Sequence, residues 1–272
     1  MYDPCPKTLF VGKKIVYLPT CHSTNATATE LVRNENLAEG TVVITDAQTA
    51  GRGQRGTRWT TSPGENFTFS LVLRPVFLAA SEQFLLSQAI ALAVHRFVGY
   101  FTEKVQIKWP NDIYVNQSKL GGILIENAWQ GTRMSHAVVG IGLNVNQIQF
   151  ESELQSTDRG AILRATSLRL ETGKSFVLSS LLPDLLQSLE QGYLRLRAGQ
   201  CEYIRNDYQN ALLGFGEKRL FRENGETFEG IVEGVTVSGR LCIQKKNGLY
   251  KEYDIKEVEW LWPDSYSSPE MP

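Results

Sequence analysis

The sequence predicts an α+β protein made of a strand-rich middle, a helical block and a small terminal β-barrel. Three observations support this reading. Runs of β-branched and aromatic residues bounded by Gly, Pro and Asn recur between Thr41 and Val145. From Asp158 to Leu212 they give way to leucines at helical spacing. Beyond Gly214 and Gly216, short strand-like runs are separated by Asn224-Gly225, Ser238-Gly239 and Asn247-Gly248, pairs that suit tight hairpin turns. The two glycines mark a boundary between a domain of residues 1–213 and one of residues 214–272.

In chain order, Phe10 to Leu18 reads as a short strand broken by a Gly-Lys-Lys turn. His22-Ser23-Thr24-Asn25 then offers N-capping side chains for a helix to about Asn36. Thr41 to Thr45 is a β-branched strand that runs toward a glycine-rich loop, and Phe67 to Leu73 is a second strand after a polar turn. Pro75 closes it, and Ser81 is the expected cap of a long amphipathic helix ending near Phe101. Val105 to Trp109 is a strand stopped by Pro110. Ile113 to Val115 and Leu120 to Asn127 form a hairpin around Asn116-Gln117, followed by a strand from Met134 to Val145. Helices are expected over Ala161 to Leu170, Phe176 to about Arg197 and Tyr203 to Leu212. The stripe Leu178, Leu182, Leu185, Leu189 and Leu196 is read as core. The barrel strands are Lys218 to Phe221, Phe228 to Val235, Leu241 to Lys245 and Val258 to Trp262, with a frayed polar tail from Pro263.

Composition narrows the function classes. With 42% apolar and 21% charged residues in 272, the chain can bury one large core and a small appended domain. A formal net charge of −1 argues against a dedicated nucleic-acid coat, which needs a cationic excess over a whole face. Cys5, Cys21, Cys201 and Cys242 show neither C-x-x-C nor paired spacing, so no disulfide framework or thiolate zinc site is expected and a reducing, cytoplasmic setting fits. No basic-then-apolar leader opens the chain, and its longest apolar run, Ala89 to Val94, is far too short to cross a bilayer.

The stretch richest in chemistry is Thr45 to Trp59, whose core Gly51-Arg52-Gly53-Gln54-Arg55-Gly56 is a cationic loop with a backbone that can approach a ligand. Such a loop handles anions. Its G-x-G-x-x-G spacing is not the dinucleotide fingerprint, because no helix opens after Gly56 and no acidic residue stands at the required distance. Arg52, Arg55, Arg58 and Trp59 would suit stacked bases, yet no basic stripe elsewhere supports that reading. Lys108-Trp109-Pro110-Asn111-Asp112 projects a cation, an amide and a carboxylate from a strand end, a set that suits a magnesium-nucleotide. Lys119-Leu120-Gly121-Gly122-Ile123 and Gly140-Ile141-Gly142-Leu143-Asn144 place glycines in strands, where backbone and ligand can touch.

Taken together and in this order, Ser23-Thr24-Asn25, the GRGQRG loop with Trp59, KWPND, KLGGI and GIGLN closely resemble the biotin protein ligases, which adenylate biotin and attach it to a carrier-protein lysine. The resemblance implies a mixed β-sheet flanked by helices, related to the class II aminoacyl-tRNA synthetase fold, with an SH3-like C-terminal barrel. It implies ATP and biotin as substrates, Mg²⁺ as cofactor, and a biotin carboxyl carrier protein, or the carrier domain of a carboxylase, as partner. A monomer or homodimer is expected, with no DNA and no membrane partner.

Residue by residue, the resemblance implies that Arg52 meets the biotin carboxylate and the phosphate, and that Lys119 stabilises the α-phosphate in flight. Gln54 and Arg55 lie in a loop that folds over the adenylate, mobile when empty, with Trp59 stacked on adenine. Asn111 and Asp112 meet the phosphates and Mg²⁺, and Asn144 contacts the nucleotide. Ser23, Thr24, Asn25, Gln48, Gly51 and Arg52 surround biotin. The backbones near Gly122, Gly140 and Gly142 complete the partners of its ureido group, and Ile123 and Leu124 form the apolar wall. Asp112 is the candidate that receives or orients the proton of the carrier amine, while His22, His95 and His136 look incidental.

The chain departs from the family pattern at Gln54 and Thr57, where many members carry arginine. A looser clasp that leaks some biotinyl-adenylate is therefore expected. Two rivals remain: lipoate or octanoate transfer on the same scaffold, and a biotin-responsive DNA-binding regulator. The second needs a helix-turn-helix ahead of the catalytic domain, and only about twenty residues precede Ser23, so a single-function ligase is expected.

Overall fold

A computed structural model describes residues 2–5, 7–35, 37–150 and 164–262 of the chain. The larger sheet has seven strands: β1 (Ile15–Cys21), β2 (Val42–Gln48), β3 (Asn66–Leu73), β4 (Val105–Lys108), β5 (Asp112–Val115), β6 (Ser118–Gln130) and β7 (Arg133–Asn144). They lie in the order β1-β2-β3-β7-β6-β5-β4. β1 and β2 are parallel, because helix α1 (Thr24–Glu35) carries the chain back between them; the other neighbours are antiparallel.

The two faces of this sheet are covered differently. On one face Ala28 and Val32 of α1 pack with Leu37 on Val43, Val72 and Val138, and this small cluster covers only part of the surface. On the other face lies α2 (Phe84–Gly99), followed outward by α4 (Leu178–Arg197) and α5 (Cys201–Ala211), with the short α3 (Leu168–Thr172) before them. α2 is buried on almost every side rather than amphipathic, since the sheet takes one flank and α4 and α5 take the other. No helix among the described residues is long and apolar enough to cross a membrane.

A second, five-stranded antiparallel sheet contains β8 (Lys218–Glu223), β9 (Glu226–Val235), β10 (Leu241–Lys245), β11 (Tyr250–Tyr253) and β12 (Glu259–Leu261), in the order β11-β10-β9-β8-β12. Its edge strands β11 and β12 do not pair with each other, so it is an open sheet and not the closed barrel expected from the sequence. β11 escapes sequence reading because Tyr250, Lys251 and Glu252 are exposed and give no apolar alternation. Asn224 and Gly225 both take positive φ, as the expected tight turn demands. One apolar core runs from Phe69, Leu86 and Leu189 through to Phe221, Val232, Ile243 and Trp260, joining both sheets.

Several boundaries differ from expectation, each for a local reason. The expected Gly-Lys-Lys turn stands at residues 12–14, but Phe10 and Val11 before it are not strand. The N–H groups of Leu9, Phe10 and Val11 instead converge on the buried carboxylate of Glu190 in α4, at 2.8–3.0 Å. Ser81 does not cap α2; it sits in a separate single turn, and the helix opens with Phe84 docked on Tyr208, ring centroids 5.8 Å apart. The helix expected from Ala161 starts only at Leu168, where Ser167 accepts the N–H of Leu170 at 3.2 Å. Just before it, Arg164 O and Thr166 N bond to Lys119, which keeps that stretch extended. Residues 161–163 of that expected helix, and the tail from Pro263, lie outside the described residues.

Candidate active site

Strand alternation decides which side chains can meet. Cross-strand register places Asn66, Thr68 and Ser70 of β3 beside Asn144, Gly142 and Gly140 of β7. Gly142 and Gly140 stand beside Gly122 and Leu124 of β6, and Gly122 beside Asp112 of β5. Residues of the other parity, such as Phe67, Phe69, Ile141, Leu143 and Ile113, fill the main core. The partly covered face beyond α1 is therefore a trough with a glycine floor and polar walls.

Ile123 belongs to the buried set, at 4% exposure in the main core. It cannot line the apolar wall alongside Leu124, because consecutive residues of a strand point to opposite faces. Gly122 and Gly140 sit in strands paired on either side, and the contribution of their missing side chains to the trough is space.

One end of the trough is a hydrogen-bond network rooted in α1. The Thr24 N–H donates to Gln48 Oε1 at 2.8 Å, and its hydroxyl is 3.3 Å from the same oxygen. Ser70 Oγ is 2.8 Å from Thr24 Oγ1 and 2.6 Å from Asn25 Oδ1. Asn25 Nδ2 donates to Glu126 Oε2 at 2.7 Å, and the same oxygen faces Arg52 Nη2 at 3.4 Å. A Cβ at Gly140 would collide with the Asn25 amide, so glycine there is a packing requirement. Ser23 is buried at the start of this helix, and its carbonyl takes the N–H of Thr27.

The cationic loop is a small hairpin. Trp59 N bonds Gly51 O at 3.2 Å, Gly53 N bonds Thr57 O at 2.7 Å, and Arg52 bridges Arg58. Gln54–Gly56 forms a single 3₁₀ turn, closed by the Thr57 N–H and hydroxyl on Gln54 O at 3.3 and 3.0 Å. The Arg55 side chain lies outside what the structure describes. The Trp59 indole rests directly on Gly142, where any Cβ would strike it, and its Nε1 is buried without a hydrogen-bond partner.

At the opposite end, Lys119 Nζ pairs with Asp112 Oδ1 at 2.8 Å and lies 5.8 Å from the Trp59 ring centroid. Lys108, on the same face by register with Asp112, sits 5.4 Å from the Tyr114 ring and 5.8 Å from that of Trp262. Burial pushes its ammonium down to about 8, against the opposing pull of Asp112. Asn111 and Asn144 reach the region, but their amides serve the backbone: Asn111 Nδ2 donates to Ile123 O, and Asn144 Nδ2 to Thr166 O at 3.0 Å. The histidines stand apart: His22 meets Thr49, His95 meets Val105 O and His136 meets Ser135.

The structure thus gathers Thr24, Asn25, Gln48, Gly51, Arg52, Trp59, Asp112, Lys119, Gly122, Gly140 and Gly142 around one trough. It adds Ser70, Thr68 and Glu126, which motif reading missed. The polar residues of β3 had left a signal, since Asn66, Thr68 and Ser70 alternate with Phe67, Phe69 and Leu71 in a fully buried strand.

Residues 17–144 match the model of the biotin/lipoate A/B protein ligase family. The bifunctional ligase/repressor BirA of Bacillus spizizenii is 33% identical over 252 residues, covering 91% of this chain and 74% of the relative. The biotin–[acetyl-CoA-carboxylase] ligase of Paracoccus denitrificans is 32% identical over 235 residues, covering 83% of this chain and 92% of the relative. The solved structure of the biotin protein ligase from Aquifex aeolicus in complex with biotin and ATP shares the fold with a TM-score of 0.72 at 26% identity, covering 91% of this chain and 98% of that one. The chain belongs to the biotin/lipoate A/B protein ligase family, among its biotin protein ligases.

Proposed function

We propose that the trough binds biotin and ATP, forms biotinyl-5′-AMP and passes the biotinyl group to a lysine of a biotin carboxyl carrier protein or carrier domain. The observation that supports this best is the glycine floor flanked by Arg52 and Lys119, each held by a carboxylate on the sheet. In the first step a biotin carboxylate oxygen attacks the α-phosphorus and pyrophosphate leaves, so anions approach anions. Lys119 supplies charge at the phosphate end and Arg52 at the acyl end. Thr24, Asn25 and Gln48 offer the polar partners a ureido group needs, with Leu124 on the same face. In the second step the carrier amine attacks the anhydride carbonyl, AMP leaves and the amine loses a proton. The role of orienting that amine is assigned to Asp112, supported by its carboxylate lying beside Lys119 in the trough.

Asp112 also fits Mg²⁺ arriving on ATP, because this cation needs only one or two protein carboxylates beside phosphate and water oxygens. Bound there, it would neutralise phosphate charge. No group of three His, Cys, Asp or Glu among the described residues could hold a metal unaided. The four cysteines, all free of disulfides, support a cytoplasmic location.

The test is incubation with Mg-ATP, biotin and a carrier domain. AMP, pyrophosphate and a mass increase on one carrier lysine are expected. Adenylation that lipoate inhibits and biotin does not would move the substrate to lipoate, and salt-dependent, sequence-specific DNA binding would add a regulatory role.

A further inference from the structure

Glu126 has no task in the reaction as proposed, yet its carboxylate is the meeting point of the trough's network. We infer that Glu126 is a positioning residue that tethers Arg52, and with it the Gly51–Trp59 hairpin, over the glycine floor so that the adenylate is retained between the two half-reactions. The inference rests on the ligase reading and adds to it a group that touches neither substrate.

The tether is anchored from below. Ser70 fixes the Asn25 carbonyl at 2.6 Å, Asn25 Nδ2 fixes Glu126 Oε2 at 2.7 Å, and that oxygen meets Arg52 Nη2 at 3.4 Å. The chain of contacts thus runs from the buried start of α1 to the hairpin. The last link is deliberately loose in geometry: the Arg52 and Glu126 side chains are 49% and 38% exposed. An exposed pair of that length contributes little and is screened by salt, so it orients the hairpin without locking the trough against entry. A guanidinium has five N–H donors, so Arg52 can keep Glu126 while offering others to an incoming anion.

The experiment uses the full chain with Mg-ATP and biotin, comparing wild type with Glu126→Gln, which keeps an acceptor for Asn25 and removes the charge. Release of biotinyl-adenylate into solution and the KM for biotin should each rise about twofold to fivefold, the range an exposed ion pair supports. The kcat for pyrophosphate formation should fall by no more than about twofold, since Lys119 is untouched. Raising salt should accelerate release more steeply in wild type than in the variant, in which only the Lys119 and Arg52 contacts to the adenylate remain to be screened, and Glu126→Asp should recover part of the retention. A purely structural Glu126 would lower the melting temperature and leave the salt dependence as in wild type, which overturns the inference. Wild-type release kinetics in Glu126→Gln overturn it as well. A wild-type chain that forms no pyrophosphate from biotin and ATP sinks the ligase reading and this inference together.

Discussion

At the scale of single residues, the trough depends on charge in two places and on missing side chains in three. Lys119 is the cation nearest the expected phosphate, so Lys119→Ala should lower pyrophosphate formation by about 10²–10³, the usual effect of removing one transition-state donor. A normal far-UV spectrum with a lost signal in the pyrophosphate assay would bear this out. Gly142 takes an ordinary backbone conformation and is needed for space alone, because a Cβ there meets the Trp59 indole. Gly142→Ala should weaken biotin binding measured by calorimetry, and the loss should be smaller in a Trp59→Ala background, since two groups that collide are not additive. Thr57, one of the two positions where the sequence departs from the expected cationic pattern, donates its hydroxyl to the main-chain oxygen of the other, Gln54. The hairpin turn therefore carries an internal cap. Gln54→Arg should slow adenylate release several-fold by adding a cation, and an unchanged release rate would dismiss the idea of a looser clasp.

At the scale of elements, the N-terminal segment is held by an anion. Glu190 is buried in α4 and accepts N–H groups from Leu9, Phe10 and Val11. Glu190→Ala would strand one buried donor, Val11 N–H, and two partly buried ones, and should cost roughly 2–4 kcal/mol. Thermal unfolding should show it as a melting point lowered by about 5–15 °C, with Glu190→Gln less affected. This contact also explains what the sequence hid. Periodicity and turn chemistry located α1, α4, α5 and most strands, because each of those is decided by neighbours in sequence. Phe10 and Val11, the opening of α2 and the stretch before α3 were misread, because distant partners (Glu190, Tyr208 and Lys119) decide them. The site divides the same way. Glycine-rich motifs disclosed the floor, whereas Glu126 and Ser70 lie in plain strand sequence and gain their place only through cross-strand register. Ile123 and Leu124 show the converse, as adjacent letters of one motif that face opposite ways.

At the scale of the molecule, the second sheet has a charge cluster of its own. Lys245 and then Lys251 hydrogen-bond Glu223 and hold its carboxyl far below the usual range, at about 2. A depressed carboxylate stabilises the fold above its unfolded value, near 4.5, and loses that contribution as pH falls toward 2. The melting-point gap between wild type and Glu223→Gln should therefore be full above about pH 4.5 and close as pH approaches 2. A gap that stayed constant across that window would show that the lysines do not stabilise the charged form.

The KWPND segment is gripped from behind. Trp109 Nε1 donates to Gly239 O at 2.9 Å, Tyr208 OH to Pro110 O at 2.8 Å, and Leu213 N to Ile107 O at 2.9 Å. The strand end that presents Asp112 to the trough is thus braced by α5 and by a turn of the second sheet, as a shelf is by its brackets. Loosening those brackets would let the shelf sag without altering anything placed on it. A change at Gly239 or Tyr208 would therefore be felt at Asp112 through the strand end they brace.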